Sequence, residues 1–278
     1  MIVRMSAASL STDLPAQLLF LARSIALEAG RMIVEARRGG VEVADRKSSP
    51  VDIVTQVDRD SEQLIRARLA DARPGDGFFG EEGARDPSAS GVTWVVDPID
   101  GTVNFLYGIP HYAISIAAVE GEPDPQTWRA LAAVVLNPVT GELFSATAGG
   151  GAHLGGEPIA IRPAAPLAEL LIATGFAYAA GMRAEQGAAA ARLLPRVRDI
   201  RRMGTASLDL CAVASGRVDA YFERTLSPWD HAAGALIATE AGAVVTGFDG
   251  RRADHHMTLA AHPDAVMRLE AVLREIGA

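Results

Sequence analysis

The chain has 278 residues, of which 26 are basic and 34 acidic, giving a formal net charge of −8, and 49% of it is apolar. That length provides for one large domain or two small ones around a substantial core. The acidic balance argues against a general nucleic-acid binder, and the interrupted apolar segment around residues 170–182 is too short to span a membrane.

Cys211 is the only cysteine, so no internal disulfide can form, and its apolar surroundings LDLCAVASG suit a buried, inert thiol. The N-terminus lacks a basic region followed by an apolar core and a cleavage site, which predicts a cytoplasmic protein. From Leu14 to Arg38 the spacing is helical, with Leu18, Leu21, Ile25 and Ala29 on one face and Gly39-Gly40 closing it. KSSPVDIVTQVD then reads as a polar turn and a short extended run. Helical spacing resumes from Asp58 to Leu69 until ARPGDG breaks it.

GFFGEEG, from Gly77 to Gly83, reads as a brief strand ending in acids, and residues 92–96 and 113–119 suit central strands. LAAVVLNPVTGELFSAT predicts a strand, a turn and a second strand. The glycines of AGGGAHLGGEPIAI predict a hairpin rather than a phosphate-binding loop, because no helix-forming stretch follows them. After Pro166 strands and helices alternate, with helices predicted over 183–197, 205–215 and 229–241. The pattern is that of a layered α/β protein. It forms one domain of two closely packed halves, about 14–162 and about 163–278.

Asp58, Glu81, Asp97, Asp100 and Asp230 each lie at the end of an apolar run rather than on a charged face. A hard cation such as Mg²⁺ takes oxygen ligands, and carboxylates also balance its charge. In WVVDPIDGTVNF a turn at Pro98 can aim Asp97 and Asp100 into one volume and leave the Ile99 carbonyl as a neutral ligand. Gly101 and Thr102 follow, where backbone amides at a helix start attract anions. Carboxylates for a metal beside amides for an oxyanion outline a phosphate-ester site. Taken alone, the same stretch can equally place Asp100 as the cap of a helix beginning near Thr102.

WVVDPIDGTVNF followed by GIPHYAISIA closely resembles the first signature of the inositol monophosphatase family, and WDHAAGALIATEAGAVVT resembles the second. FFGEEG, the segment from Lys47 to Asp58, and GTASLDLCAVASGRVDAYFE resemble three further blocks in the right order, from about Leu14 to Gly247. The resemblance implies the α-β-α-β-α sandwich of the sugar phosphatases, with a larger N-terminal mixed-sheet half and a smaller C-terminal α/β half. It implies hydrolysis of inositol monophosphate by a metal-activated water, two or three Mg²⁺ per site with Mn²⁺ as a possible substitute, lithium sensitivity and a homodimer. Glu81, Asp97 and the Ile99 carbonyl match ligands of one ion. Asp97, Asp100 and Asp230 match those of a second, and Glu81 also serves a third.

By the same resemblance, Asp58 and Thr102 orient the attacking water and Lys47 reaches the metal site from its loop. Gly101 and Thr102 grip the phosphate, while Ala206 and Glu223 meet the polyol. The alternative for Glu223 is a surface ion pair with Arg224 or Arg201. His111 and His231 read as packing or hydrogen-bonding residues, and Trp94 and Trp229 as core residues walling the site. Gly83 stands where a hydroxyl residue is usual, Val103 replaces a frequent Thr, and Leu106-Tyr107 also depart from the pattern. Rival activities are those of histidinol-phosphate phosphatase, fructose-1,6-bisphosphatase and nucleotide 3′-phosphatase. A partner-binding protein that keeps the fold without catalysis is the alternative from another class.

Overall fold

The computed structural model describes residues 13–39, 43–46 and 53–278. Its first half runs α1 (Leu14–Arg38), β1 (Val43–Arg46), β2 (Ile53–Thr55), α2 (Gln56–Ala72), β3 (Gly77–Gly80), β4 (Val92–Asp100) and α3 (Thr102–Tyr107). β5 (Ala113–Glu120), β6 (Arg129–Leu136), β7 (Leu143–Thr147), β8 (Ala152–Leu154) and β9 (Glu157–Ile159) complete a 7-stranded sheet in the order β3-β4-β5-β6-β7-β8-β9. Only β3–β4 is parallel in it. The glycine-rich segment is the hairpin of β8 and β9, as its composition predicts.

The second half runs β10 (Leu171–Thr174), α4 (Ala180–Leu193), β11 (Asp199–Arg201), α5 (Ala206–Ala214), β12 (Ala220–Glu223), α6 (Pro228–Glu240), β13 (Val244–Thr246), β14 (Thr258–Ala261) and α7 (Pro263–Ile276). Its strands form a 5-stranded sheet in the order β11-β10-β12-β14-β13, parallel at β10 and antiparallel around β14. The helix predicted over 183–197 starts one turn earlier, at Ala180, and ends at Leu193 because Pro195 cannot supply the next ladder donor.

Alternation along the strands explains the layering. On β5, Ile114, Ile116 and Ala118 pack with Leu18, Ile25, Ala29 and Ile33 of α1 and Ile65 and Leu69 of α2 on the outer face. Ala113, Ala117 and Val119 face the opposite way, into a core shared with α5, α6 and Tyr221 and Ala260 of the smaller sheet. The far side of the smaller sheet packs Ile172, Phe222 and Leu259 against Leu193 of α4 and Leu269 and Leu273 of α7. The order of layers is therefore helices, large sheet, helices, small sheet, helices: the α-β-α-β-α sandwich. Each buried Leu or Ile contributes about 1.5–3 kcal/mol. α5 and α6, mostly apolar, are largely buried because they lie between two sheets.

Candidate active site

β4 is buried along its whole length and carries Asp97 and Asp100 at its end. Its pairing with β5 shifts register between these two residues, where Pro98 has no N–H to give the ladder. The strand extends four residues past the predicted 92–96, so the aspartates terminate a paired strand rather than a free loop. The Ile99 amide donates to Asp97 Oδ1 at 3.0 Å, and Ser61 of α2 donates to the Pro98 carbonyl at 3.4 Å. Gly101 then turns the chain with φ 91°, and a Cβ there would lie 2.5 Å from Thr205 Oγ1. Only glycine meets both demands.

Asp100 does not cap α3; Gly101 holds the cap position there, without a side-chain cap. Its Oδ2 instead accepts from the Ser207 amide at 2.7 Å and the Ser207 hydroxyl at 2.5 Å. The carboxylate thus binds the first turn of α5 across the fold, where helix amides lack partners of their own.

Asp58 stands in the first turn of α2, in a reciprocal cap with Thr55. Its Oδ2 accepts from the Thr55 amide at 2.8 Å and from the Thr55 hydroxyl, while Oδ1 receives the Thr102 hydroxyl at 3.0 Å. Thr102 Oγ1 also lies 3.0 Å from the Ile99 carbonyl. Asp230 is placed by a similar cap on α6, where the Ser227 amide donates to Oδ2 at 2.6 Å.

Glu81 follows β3, whose parallel pairing with β4 brings it beside Asp97. The turn after it is held by Glu62 of α2, a buried acid that sequence reasoning missed: its Oε2 accepts from the Glu82 amide at 2.8 Å. Glu62 also explains Gly83. A Cβ there would meet Glu62 Oε1 at 2.5 Å and the Arg66 guanidinium at 2.8 Å, so a larger residue needs these two side-chain ends to move aside.

These residues border one cavity of about 500 Å³, lined by Glu81, Asp97, Ile99, Asp100, Gly101, Thr102, Ala206, Glu223 and Asp230. Phe176, Tyr178 and Arg202 add an aromatic and cationic wall. Glu223 ends β12, accepts from the Tyr221 hydroxyl at 2.7 Å and fills the space that Gly175 leaves open. A Cβ on Gly175 would stand 1.9 Å from Glu223 Oε2. Asn104 donates to the carbonyls of His111 and Met203 at 2.7 and 2.8 Å, and Thr205 donates to that of His111 at 2.9 Å. These bonds fasten α3 to the start of α5, from opposite halves of the chain.

Burial, then the charges of Glu81, Asp100 and Asp230, pushes Asp97 well above the usual carboxylate range. Burial and Glu81 do the same to Asp230. Burial raises Asp58 and Asp100 to about 6 against the hydrogen bonds from Thr55 and Ser207. None of the leading influences on Asp97, Asp100 or Asp230 is a basic side chain. Among the described residues no three of these groups stand in a finished ligand shell. The Glu81 side chain beside Asp97 adds to that rise. A set of oxygen ligands raised by burial and by one another's charges fits a divalent cation.

A model of the inositol monophosphatase family matches residues 14–275. The chain belongs to the inositol monophosphatase family. It is therefore a phosphatase, and its relatives agree. An inositol-1-monophosphatase of Mycobacterium leprae is 47% identical over 251 residues, covering 83% of this chain and 84% of the relative. A Nus factor SuhB of Vibrio cholerae is 37% identical over 228 residues, covering 81% and 83%. The crystal structure of extragenic suppressor protein suhB from Bartonella henselae matches with a TM-score of 0.85 at 34% identity, covering 93% of this chain and 99% of that one.

In this inositol monophosphatase family chain, every predicted ligand and phosphate-side residue borders the cavity or touches one that does; Lys47 lies outside the described residues. Two secondary readings need correction. Glu223 pairs with neither Arg224 nor Arg201: it points inward to Tyr221, while Arg201 pairs with Asp199 at 2.6 Å. Trp229 lines the cavity, edge-on to Phe79, but Trp94 does not; its indole donates to Asp76 at 2.9 Å in the outer core. His231 packs on Trp128, and burial holds it neutral at about 4. Ser207 and Arg202 went unnoticed because their partners, Asp100 and Phe176, lie far along the chain, and Tyr221 because its bond to Glu223 matters only once both face inward from β12.

Proposed function

We propose that this chain hydrolyses inositol monophosphate, of the myo-inositol 1-phosphate type, to inositol and phosphate in a Mg²⁺-dependent reaction. The observation that carries the reading is the cluster of acids, Asp97 and Asp100 buried among them, that opens on the same cavity as Gly101, Thr102 and Glu223. Glu81, Asp97, the Ile99 carbonyl, Asp100 and Asp230 would hold two or three Mg²⁺, with Mn²⁺ as a substitute. Such ions, when bound, acidify water and stabilise the charge of a departing alkoxide.

The chain's own groups supply the positioning. Thr102 gives its proton to Asp58, so its oxygen is left to accept a hydrogen bond from the attacking water and turn it toward phosphorus. The amides of Gly101 and Thr102 take the phosphate oxygens, and Lys47, by the family resemblance, reaches the metal site through water. Glu223 accepts hydrogen bonds from ring hydroxyls, which are donors, with the backbone at Ala206 beside it. Arg202 on the cavity wall disfavours a leaving group that carries a cation, which sets inositol ahead of histidinol.

A substrate panel tests the assignment. With Mg²⁺, kcat/KM for inositol 1-phosphate should exceed that for histidinol phosphate by at least about tenfold, and millimolar lithium should inhibit. The reverse ratio would overturn the substrate.

A relative's being called a Nus factor favours a second reading, in which the same cytoplasmic fold also binds a partner. The exposed Tyr107 and Ile109, 75% and 48% accessible at and just past the end of α3, support the expected homodimer. Light scattering should give twice the monomer mass, and a monomer at micromolar concentration would remove that expectation.

A further inference from the structure

Behind Glu223 lies a set of buried polar groups that the hydrolysis itself leaves unused. Glu223 and Tyr221 alternate on β12 and so face the same layer, toward α5 and α6. Thr258 on β14 pairs directly with Glu223 and faces that layer too. Asp209 enters it from the first turn of α5. Asp209 and Thr258 are each 0% accessible, yet among the described residues neither carboxylate oxygen of Asp209 nor the Thr258 hydroxyl has a hydrogen-bond partner.

Buried polar atoms in native proteins are almost always satisfied, directly or through a bridging water, and three orphans in one layer call for a common explanation. Asp209 is held well above the usual carboxylate range, first by burial and then by the charge of Glu223, so its carboxyl can donate as well as accept. Tyr221 already donates to Glu223 Oε2 at 2.7 Å. The Tyr221 oxygen is thereby left to accept a bond from behind.

Taking Glu223 as the polyol acceptor, we infer that Asp209 and Thr258 are positioning residues for substrate recognition. With Tyr221, and through a bridging water that meets their open polar atoms, they complete a buried relay that holds the Glu223 carboxylate toward the hydroxyls of the leaving alcohol. The relay acts on the alcohol and not on the phosphate. Its loss affects only substrates whose leaving group carries hydroxyls.

The experiment compares inositol 1-phosphate with phenyl phosphate, whose leaving group has no hydroxyl to offer Glu223 beyond the one formed in the reaction. Both are assayed on the full chain with Mg²⁺. Asp209→Leu should raise KM for inositol 1-phosphate about tenfold with kcat nearly kept, and leave kcat/KM for phenyl phosphate within about twofold. Asp209→Asn, which still donates and accepts, should recover most of the loss. Thr258→Val, which removes only a hydroxyl at constant shape, should shift the same KM by about threefold and carries the test if Asp209→Leu does not fold. In a Glu223→Gln background, Asp209→Leu should add little to the inositol defect, since both act through one group.

Equal losses on both esters, no change on either, or full additivity with Glu223→Gln would overturn the inference. If the unaltered chain releases phosphate from neither ester, the reading of the whole site fails first, and the two failures are told apart by that control.

Discussion

Asp97→Asn removes Mg²⁺-dependent phosphate release by about a thousandfold or more, while the protein still folds. Asp97 is buried, and Glu81, Asp100 and Asp230 all raise it further. The carboxamide keeps the shape and retains an oxygen for the Ile99 amide, which now donates to Oδ1 at 3.0 Å. What it loses is the negative charge that would be shared between neighbouring cations. Removing that charge also removes repulsion. Without divalent ions the variant therefore melts above the parent, and with Mg²⁺ the order reverses because only the parent gains binding energy. Phosphate-release assays and paired melts in chelator and Mg²⁺ read both effects. A variant that keeps substantial Mg²⁺-dependent turnover would contradict the ligand assignment.

The second large effect is on stability against pH. Asp58 and Asp100 are raised to about 6 and Glu223 to about 7, all by burial first, with Asp97 and Asp230 raised further in the same direction. A raised carboxyl keeps a proton in the folded state that the unfolded chain has already released. Its contribution is fully present below the unfolded value near 4 and is lost as pH climbs through the folded one. For Asp58, moving from 3.8 to about 6 costs the folded state about 3 kcal/mol by neutral pH. Metal-free protein should therefore lose stability from about pH 4 to about pH 7, against the usual trend for salt-bridged acids. Mg²⁺ should restore it strongly at about pH 7.5 and weakly at about pH 5, where protons compete. Chemical denaturation across that range measures it. A metal-free stability that is flat or rises over this range would mean the acids are compensated in a way that the cavity does not reveal.

Much of this was legible in the linear chain, because it rests on local rules. α1 follows from spacing that repeats each helical turn, with Leu18, Ile25 and Ala29 buried and Gly39 at its end. The β8–β9 hairpin follows from glycines without a helix behind them. The aspartates of DPIDGT stood out because a carboxylate rarely ends an apolar strand without a task. The layered fold and the residues bordering the cavity follow from five blocks in family order, now matched over residues 14–275.

What only the tertiary structure decided is who partners whom across long separations. Composition could not choose between Asp100 as a cap for α3 and Asp100 as an acceptor for Ser207, 107 residues further along, since both satisfy the same lone pairs. Nor could it show Gly83 yielding to Glu62 and Arg66, or Gly175 making room for Glu223, because crowding depends on which surfaces meet. The raised acids are a product of folding as well. Each carboxylate in isolation is an ordinary surface group, and only burial beside the others, away from water, gives the cluster its demand for a metal.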